Sequence, residues 1–243
     1  MLLRALGDAR TRRSRAALIA LLGNGEESDL QVLEQLVKGG RGHRPSLTLR
    51  GRLDSCLTST NVRIRSLAAL AVAELHEPDL APRLIDLLLD ENALVRRNAT
   101  VALQRMTGAT YEEDVDAWRA LLDRESTWFN ESWPQIQDCL DSGDLGRTVQ
   151  ALREIAPHRL HRDPLCQHLG DLLPEAPPSI GLGIAATLVE LGSAWAVDPL
   201  FRALETRDDP DDELRKAAHV ALERLTGLSL PDDVEDCRER IGL

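Results

Sequence analysis

Residues 95–106 read VRRNATVALQRM, and residues 214–225 read LRKAAHVALERL. Both stretches have an aliphatic first place, Arg next, a small fifth place, Ala-Leu at places eight and nine, and an apolar twelfth place. Places one, five, eight, nine and twelve lie on one face of a helix. Small residues there let a neighbouring helix approach closely. The pattern therefore predicts helix packing and does not indicate an active site.

The same pattern recurs along the chain. Residues 62–73 follow it, and residues 180–191 follow it more loosely. Each copy comes after a shorter amphipathic stretch, such as residues 82–90 or 199–205, so the predicted unit is a helix, a tight turn and a second helix. The spacing of the ninth-place leucines predicts units near 33 residues, with weaker copies at the first and fourth of these positions: Leu18, Leu70, Leu103, Leu152, Leu188 and Leu222.

Two longer stretches of the chain are similar to each other in sequence. Residues 95–108 match residues 214–227 at an offset of 119, and each copy ends in Thr-Gly. An acidic run follows each copy, at residues 112–116 and 232–236. Aspartate at a helix start accepts from free N–H groups and suits the positive end of the helix dipole. Each run therefore predicts a further helix that caps a stack.

These copies resemble HEAT repeats, and more narrowly the short bacterial HEAT-like repeats of the phycobilin-lyase type. The resemblance rests on an aliphatic-Arg pair followed by two alanines and a leucine, found as Val95, Arg96, Ala99, Ala102 and Leu103 and again as Leu214, Arg215, Ala218, Ala221 and Leu222. It implies that the arginine after the aliphatic residue pairs with an aspartate of the neighbouring turn, which would give Arg63, Arg96 and Arg215 a structural role.

The expected fold is all-α: an α-solenoid, wound as a right-handed superhelix, of about five to six HEAT-like helix pairs. Residues 1–124 and 125–243 are expected to be its two halves, each with a capping helix, continuous as one solenoid. Aromatic residues make up only 3% of the chain. This composition also favours helix, because the β-branched and aromatic runs that are typical of strands are missing.

Composition also predicts where the protein works. No apolar run exceeds seven residues, so no membrane insertion is expected. Cysteines show no paired spacing, which favours a reduced cytosol. Arg outnumbers Lys by 27 to 2, which indicates a GC-rich genome. A cytoplasmic bacterial protein is the prediction.

Charge is distributed unevenly along the sequence. Residues 1–65 hold 12 Lys+Arg and 6 Asp+Glu, whereas residues 66–243 hold 17 and 34. The acidic bulk makes nucleic acid an unlikely main ligand. The Arg-rich start, with Arg12 and Arg13, is interpreted as a patch for an acidic protein, a membrane headgroup or a nucleic acid, or else as a solvated face or a match to the acidic later repeats.

Five of the seven aromatic residues lie between positions 111 and 133. Two explanations stay open. The aromatic side chains are bulky filler at an irregular junction between helices, or Trp128, Phe129 and Trp133 anchor a partner protein.

Two other motifs suggest chemistry. Residues 157–168 hold three of the six histidines and Cys166, but their spacing fits no familiar closed zinc site and indicates a solvated turn. Residues 181–186 read GLGIAA, which matches G-x-G-x-x-A, yet the strand that a dinucleotide site needs is not predicted before it. No catalytic residue, metal or cofactor is predicted.

The leading functional hypothesis is a non-catalytic scaffold or adaptor that binds another protein on the concave face of the solenoid. The outward places of the second helices would make the contact, at Arg97, Thr100, Gln104 and Lys216. Two alternatives are carried. One is a HEAT-like enzyme, either a DNA-base glycosylase or a bilin lyase. The other is a structural protein that self-associates, in a salt-sensitive manner, through its basic N-terminus and acidic C-terminal half.

Overall fold

The computed structural model of the chain describes residues 12–39, 47–206, 209 and 212–241. Within these residues all regular secondary structure is helical. The chain divides into two compact units, Met1–Arg124 (unit 1) and Glu125–Leu243 (unit 2). The predicted all-α repeat fold is confirmed.

Unit 1 is built from helices joined by short turns. They are α1 Arg12–Leu21, α2 Glu26–Gly39, α3 Leu47–Leu57, α4 Val62–Leu75, α5 Ala81–Asp86, α6 Ala93–Thr107 and α7 Val115–Glu131, and the unit boundary falls within α7. Short 3-10 turns flank α5 at Pro78–Leu80 and Leu87–Leu89. Consecutive helices pack as the pairs α1/α2, α3/α4 and α5/α6, while α2 packs on α4 and α4 on α6. The second helices of the pairs therefore form one row.

Unit 2 repeats this arrangement. Its helices are α8 Trp133–Asp141, α9 Leu145–Ile155, α10 Arg162–Leu172, α11 Pro178–Leu191, α12 Val197–Glu205, α13 Glu213–Thr226 and α14 Val234–Ile241, with 3-10 turns at Arg159–His161, Leu173–Glu175 and Ala194–Ala196. The pairs are α8/α9, α10/α11 and α12/α13, and α11 packs on both α9 and α13. A second row of second helices results.

The buried face of α4 is in a different register from the predicted one. Its buried residues correspond to those of α6 at an offset of 31, not 33: Ile64 with Val95, Ala68 with Ala99, Ala71 with Ala102, Val72 with Leu103, and Leu75 with Met106. The predicted ninth-place Leu70 is only half-buried. The N-cap sets the register, because Asn61 accepts from the Arg63 N–H at 2.9 Å as Asn92 accepts from the Leu94 N–H at 3.0 Å.

The predicted similarity between positions 119 residues apart extends to individual hydrogen bonds. The indole Nε1 of Trp118 donates to the Glu112 carbonyl at 2.8 Å, and the Cys237 thiol donates to the Pro231 carbonyl at 2.9 Å. Both side chains are fully buried. A tryptophan and a cysteine thus occupy the same structural position and satisfy the same backbone group.

The acidic runs begin helices, as predicted. Asp114 accepts from the Ala117 N–H at 3.0 Å at the start of α7, and Asp233 accepts from the Asp236 N–H at 3.1 Å at the start of α14. These two aspartates are again 119 residues apart. Their carboxylates satisfy N–H groups that the first turn of a helix leaves without a partner.

The arginine that links neighbouring turns in unit 1 is Arg65, not the predicted Arg63. Its guanidinium makes two hydrogen bonds to the Asp90 carboxylate, at 2.8 and 3.0 Å, and a third to the Ser59 carbonyl at 2.8 Å. These bonds hold the pKa of Asp90 below its usual range. Arg63 instead pairs with Glu34 at 3.3 Å on the exposed surface.

The other two predicted arginines do bind the turns next to them. Arg96 donates to the carbonyls of Asp90 and Glu91 at 3.0 and 3.3 Å and pairs with Glu113 at 2.8 Å. Arg215 donates to the Leu204 carbonyl at 2.9 Å. Backbone carbonyls that have no intrahelical hydrogen-bond partner at the end of a preceding helix or turn thus accept a hydrogen bond from a charged guanidinium.

Replacing Arg65 should cost much more stability than replacing Arg63. The Arg65 and Asp90 side chains are only 12% and 8% exposed, so Arg65→Ala leaves a shielded carboxylate without its donors and should lower the free energy of unfolding by about 2 to 3 kcal/mol. Arg63→Ala removes an exposed pair that contributes at most about 1 kcal/mol. Urea unfolding followed by circular dichroism compares the two, and equal losses would contradict this assignment.

Candidate functional site

The aromatic segment and the histidine segment, which the sequence presents as separate features, meet in unit 2. Trp128 at the end of α7 stacks on His158, with ring centroids 3.4 Å apart and planes 7° from parallel. Phe129 stacks on His161 in the same way, at 4.3 Å and 12°. The two segments therefore form one cluster, which we call the aromatic–histidine cluster.

The third aromatic residue joins this cluster from α8. Trp133 meets His168 of α10 edge to face, with ring centroids 5.5 Å apart and planes at 85°. The Nε2 atom of His168 lies 3.1 Å from the Asp141 carboxylate, and its Nδ1 atom lies 3.4 Å from the Gln137 amide nitrogen. Aromatic faces and edges of this kind attract each other through their quadrupoles.

Glu125 contacts the other two histidines, His158 through its carboxylate and His161 through its main-chain carbonyl. The Nδ1 atom of His158 lies 3.1 and 3.2 Å from the two carboxylate oxygens of Glu125. The Nε2 atom of His161 lies 3.2 Å from the Glu125 main-chain carbonyl. Burial lowers the pKa of His161, and the nearby Glu125 opposes this only in part. A neutral His161 that donates from Nε2 fits this contact.

The geometry favours the interpretation of the aromatic residues as filler. Trp133 is 6% exposed, and Trp128 and Phe129 are half-buried. One ring face of Trp128 and one of Phe129 are covered by histidines of the same unit. Trp128 and Phe129 stay partly exposed, so an anchoring role for this trio remains a prediction.

The histidines of this segment are spread over different partners and do not converge on one point. Among the residues that the structure describes, no group of three His, Cys, Asp or Glu side chains is placed to hold a metal ion. Cys166 is fully buried, and this burial raises the pKa of its thiol to about 12. A thiol with that pKa is protonated at neutral pH, and the thiolate is the form that binds metals.

The G-x-G-x-x-A stretch lies inside α11 and has a packing role. A Cβ atom on Gly181 would lie 2.5 Å from a methyl group of Leu214 on α13. A Cβ atom on Gly183 would lie 2.9 Å from a methyl group of Leu152 on α9. The two glycines therefore let α11 fit between its neighbours in the row.

The predicted outward residues of the second helices fall into two groups. Arg97 and Lys216 are exposed, as the template requires. Thr100 is buried, and its hydroxyl donates to the Arg96 carbonyl at 3.0 Å, so the prediction that it faces outward is wrong. Gln104 is half-buried and donates its amide to the Tyr111 carbonyl at 3.0 Å.

Helical geometry explains the error at Thr100. From Arg97 the outward direction recurs at four-residue steps, which lead to Val101 and Arg105. Arg105 is exposed and Val101 is half-buried. These outward residues were not identified from the sequence, although the spacing from Arg97 contained the signal. The side chains of Arg12 and Arg13, the remaining candidates, lie outside the described part of the structure.

Paired helices whose second members stack in a row define the class of helical repeat proteins. Residues 50–133 match the family model of HEAT repeats. The match confirms the expected resemblance to HEAT repeats for this part of the chain. No curated protein matches the chain.

The chain is also similar to solved structures of engineered and designed proteins. Two engineered proteins of the Northeast Structural Genomics Consortium, targets OR329 and OR497, are both 17% identical to it, with TM-scores of 0.33 and 0.34. The match covers 88% of this chain and 96% of the first protein, and 99% of this chain and 67% of the second. A designed armadillo repeat protein, YIII(Dq)4CqI, is 18% identical with a TM-score of 0.29, and 93% of this chain and all of that one are covered. TM-scores this low carry no argument about function.

The buried histidine should make stability depend on pH. Because the pKa of His161 is lower in the folded chain than its usual 6.5, the unfolded chain takes up a proton first as the pH falls. The stability that neutral His161 provides is therefore complete above pH 6.5 and is lost below it. His161→Phe keeps a ring against Phe129 but cannot titrate. Urea unfolding at pH 7.5 and pH 5.5 should show a smaller loss for this variant than for the natural chain, and equal losses would show that His161 is not responsible.

Proposed function

We propose that this chain is a non-catalytic module that binds another protein through the exposed side of its second helices. The observation that carries the proposal is the row of second helices in each unit, α2, α4 and α6 in unit 1 and α9, α11 and α13 in unit 2. A row of parallel repeats offers one long surface whose outward side chains are free to vary, because the core lies on the other side.

Polar contacts between successive helices hold this surface in place in unit 1. The Asn98 amide on α6 donates to the Ser66 hydroxyl on α4 at 2.7 Å. Arg105 pairs with Glu74 at 2.5 Å between the same two helices. A surface that is rigid before binding loses less conformational entropy when a partner docks, which favours recognition.

The distribution of exposed apolar residues supports the same surface. Six large hydrophobic side chains stand exposed among the described residues, and four of them lie on second helices: Leu94, Leu145, Val149 and Val220. A solitary exposed leucine needs no explanation. Their concentration on one class of helix, however, is what a protein-binding surface would require.

Cysteine chemistry gives no support to catalysis. Burial raises the pKa of the Cys56 thiol to about 11 and that of Cys166 to about 12. Both are protonated at neutral pH and are poor nucleophiles. The Glu125 carboxylate contacts His158 and is only 13% exposed, whereas a glycosylase would need a carboxylate that faces an open basic groove.

Several narrower hypotheses stay predictions. They are the phycobilin-lyase type of repeat, the bilin lyase and glycosylase alternatives, salt-sensitive self-association and a cytoplasmic location in a bacterium. No helix in the described part of the chain is both long and apolar enough to cross a bilayer.

Site-specific photo-crosslinking tests the proposed surface. A photoreactive amino acid replaces Leu94 on α6 or Val220 on α13, and the two controls replace Leu47 on α3 and Leu89 after α5, which are 81% and 71% exposed. After irradiation in lysate of the source cells, the second-helix positions should give a discrete adduct with one other protein, identified by mass spectrometry.

The two control positions show whether crosslinking is specific to the second helices. Adducts of equal yield at Leu47 and Leu89 would show that the partner has no preference for the second helices. Adducts between two copies of this chain would favour self-association instead. A lack of adducts at Leu94 and Val220 would contradict the proposal.

A further inference from the structure

The middle helix of the row in unit 2 has an uncharged outward side. Only one of the fourteen residues of α11 is charged, Glu190 near its end, whereas the other five second helices each carry three to five charged residues. Ile184 and Leu188 of α11 face the core. Leu182 and Ala186 lie on the opposite side, four residues apart, where Leu182 is half-buried and Ala186 is exposed. A partner that docks on α11 therefore meets aliphatic groups and no charge.

Exposed aliphatic residues continue this side on both neighbours of α11. Leu145 and Val149 of α9 are 50% and 37% exposed, and Val220 of α13 is 47% exposed. Both α9 and α13 pack on α11. Val149 stands one turn from Leu152, which lies against Gly183 of α11. We call this set of outward residues the apolar strip: Leu145, Val149, Leu182, Ala186 and Val220.

The outward side of the row in unit 1 is charged. Ion pairs cross it between successive helices, from Arg63 to Glu34 and from Arg105 to Glu74. The side chains of Arg63 and Arg105 are 69% and 51% exposed, so an apolar partner would have to remove water from charged groups. Docking on the apolar strip avoids this cost, which favours the row of unit 2.

The side chains of the apolar strip select the backbone conformation of the partner. Leucine, valine and alanine offer no hydrogen-bond donor or acceptor. The backbone N–H and C=O groups of an extended segment that face the strip would therefore lose water without gaining a partner, whereas a helix satisfies these groups internally.

Charge complementarity restricts the contacting side of that helix. A carboxylate or an ammonium group placed on Leu182 or Ala186 would lose water and gain no opposite charge. The contacting side must therefore be uncharged, and the charged residues of the partner helix must face solvent.

We propose that the apolar strip binds one amphipathic helix of the partner protein, with the apolar side of that helix over Leu182 and Ala186. This inference rests on the proposed protein-binding function and specifies the kind of partner and the unit that holds it. The small side chain of Ala186 lets a helix approach α11 closely, and Val149 and Val220 flank it from α9 and α13. The partner presents aliphatic residues at three- and four-residue steps.

Net charge argues against two other occupants. Each chain carries −11, so two copies repel each other, and an anionic lipid surface repels the chain in the same way. The apolar strip also contains no aromatic side chain of the kind that anchors proteins at a lipid interface.

A library of random peptides tests the proposal. The full-length chain is immobilised and offered displayed peptides of about 16 residues, which is about four helical turns. The enriched peptides should carry aliphatic residues at three- and four-residue steps, and circular dichroism should show that they gain helix when the chain is added. Enriched peptides with alternating aliphatic residues, or with a charge motif and no apolar periodicity, would overturn the proposal. A lack of enrichment would overturn it as well.

A charge on α11 locates the bound peptide. Ala186→Glu should weaken the binding of a selected peptide at least about tenfold, measured by fluorescence anisotropy, whereas Ala186→Ser keeps the place small and uncharged and should retain binding. Val149→Glu on α9 is the second variant, used if Ala186→Glu does not fold. The matched control is Ala120→Glu, which adds the same charge at an exposed alanine of α7. Equal weakening by the control, or none by the variants in the strip, would overturn the proposal.

Photo-crosslinking separates this inference from the proposed function. We expect adducts at Val220 to be lost in Ala186→Glu. Adducts at Val220 that persist in this variant, or adducts at Leu94 alone, would overturn the helix site while the protein-binding function stands. If the chain yields neither adducts nor enriched peptides, both the site and the function are wrong.

Two other measurements identify a different occupant. Sedimentation with phosphatidylglycerol vesicles that is lost in Ala186→Glu would replace the partner helix by a lipid surface. A dimer in analytical ultracentrifugation that the same variant dissociates would replace it by a second copy of the chain.

Discussion

The structure depends on close contact between successive second helices. In α11 this contact is made by glycines, and in α4 and α6 fully buried alanines, Ala68 and Ala99, stand at equivalent places. Interiors pack at the density of organic crystals, so a larger side chain at such a place pushes a whole helix away. The small residues of α11 thus allow the close approach of the helices on either side of it.

Periodicity was enough to predict the helices but not their register. The apolar pattern of residues 62–73 is compatible with two alignments, because α4 is rich in alanine and several of its faces are apolar. The N-cap decides between them: Asn61 and Asn92 begin their helices in the same way, and a comparison of caps would have identified Arg65 rather than Arg63 as the arginine that binds Asp90. The wrong prediction for Thr100 has a different cause, since a step of four residues from Arg97 along α6 leads to Val101 and not to Thr100.

The aromatic–histidine cluster shows what the sequence could not provide. Trp128 and His158 are 30 residues apart, and no local pattern indicates that their rings stack. Each segment looks exceptional by itself, because aromatic residues make up only 3% of the chain and clustered histidines suggest a metal site. Together they satisfy one another: the rings cover one another, and Glu125 accepts from a histidine nitrogen. Long-range pairing of this kind depends on how three helices and a turn converge, which composition does not encode.

The offset of 119 separates what packing requires from what it does not. Trp118 and Cys237 differ in size and chemistry, yet each donates to the carbonyl six residues before it, so the core tolerates change while it keeps the bond. The rest of the buried face is more restricted. Three buried places of α6 recur unchanged in α13, namely Ala99, Ala102 and Leu103 as Ala218, Ala221 and Leu222. The row of second helices therefore requires small residues and a leucine at fixed places, because neighbouring helices pack there. The place of Trp118 and Cys237 requires only a donor for one carbonyl, because those residues lie on the helix that follows the row.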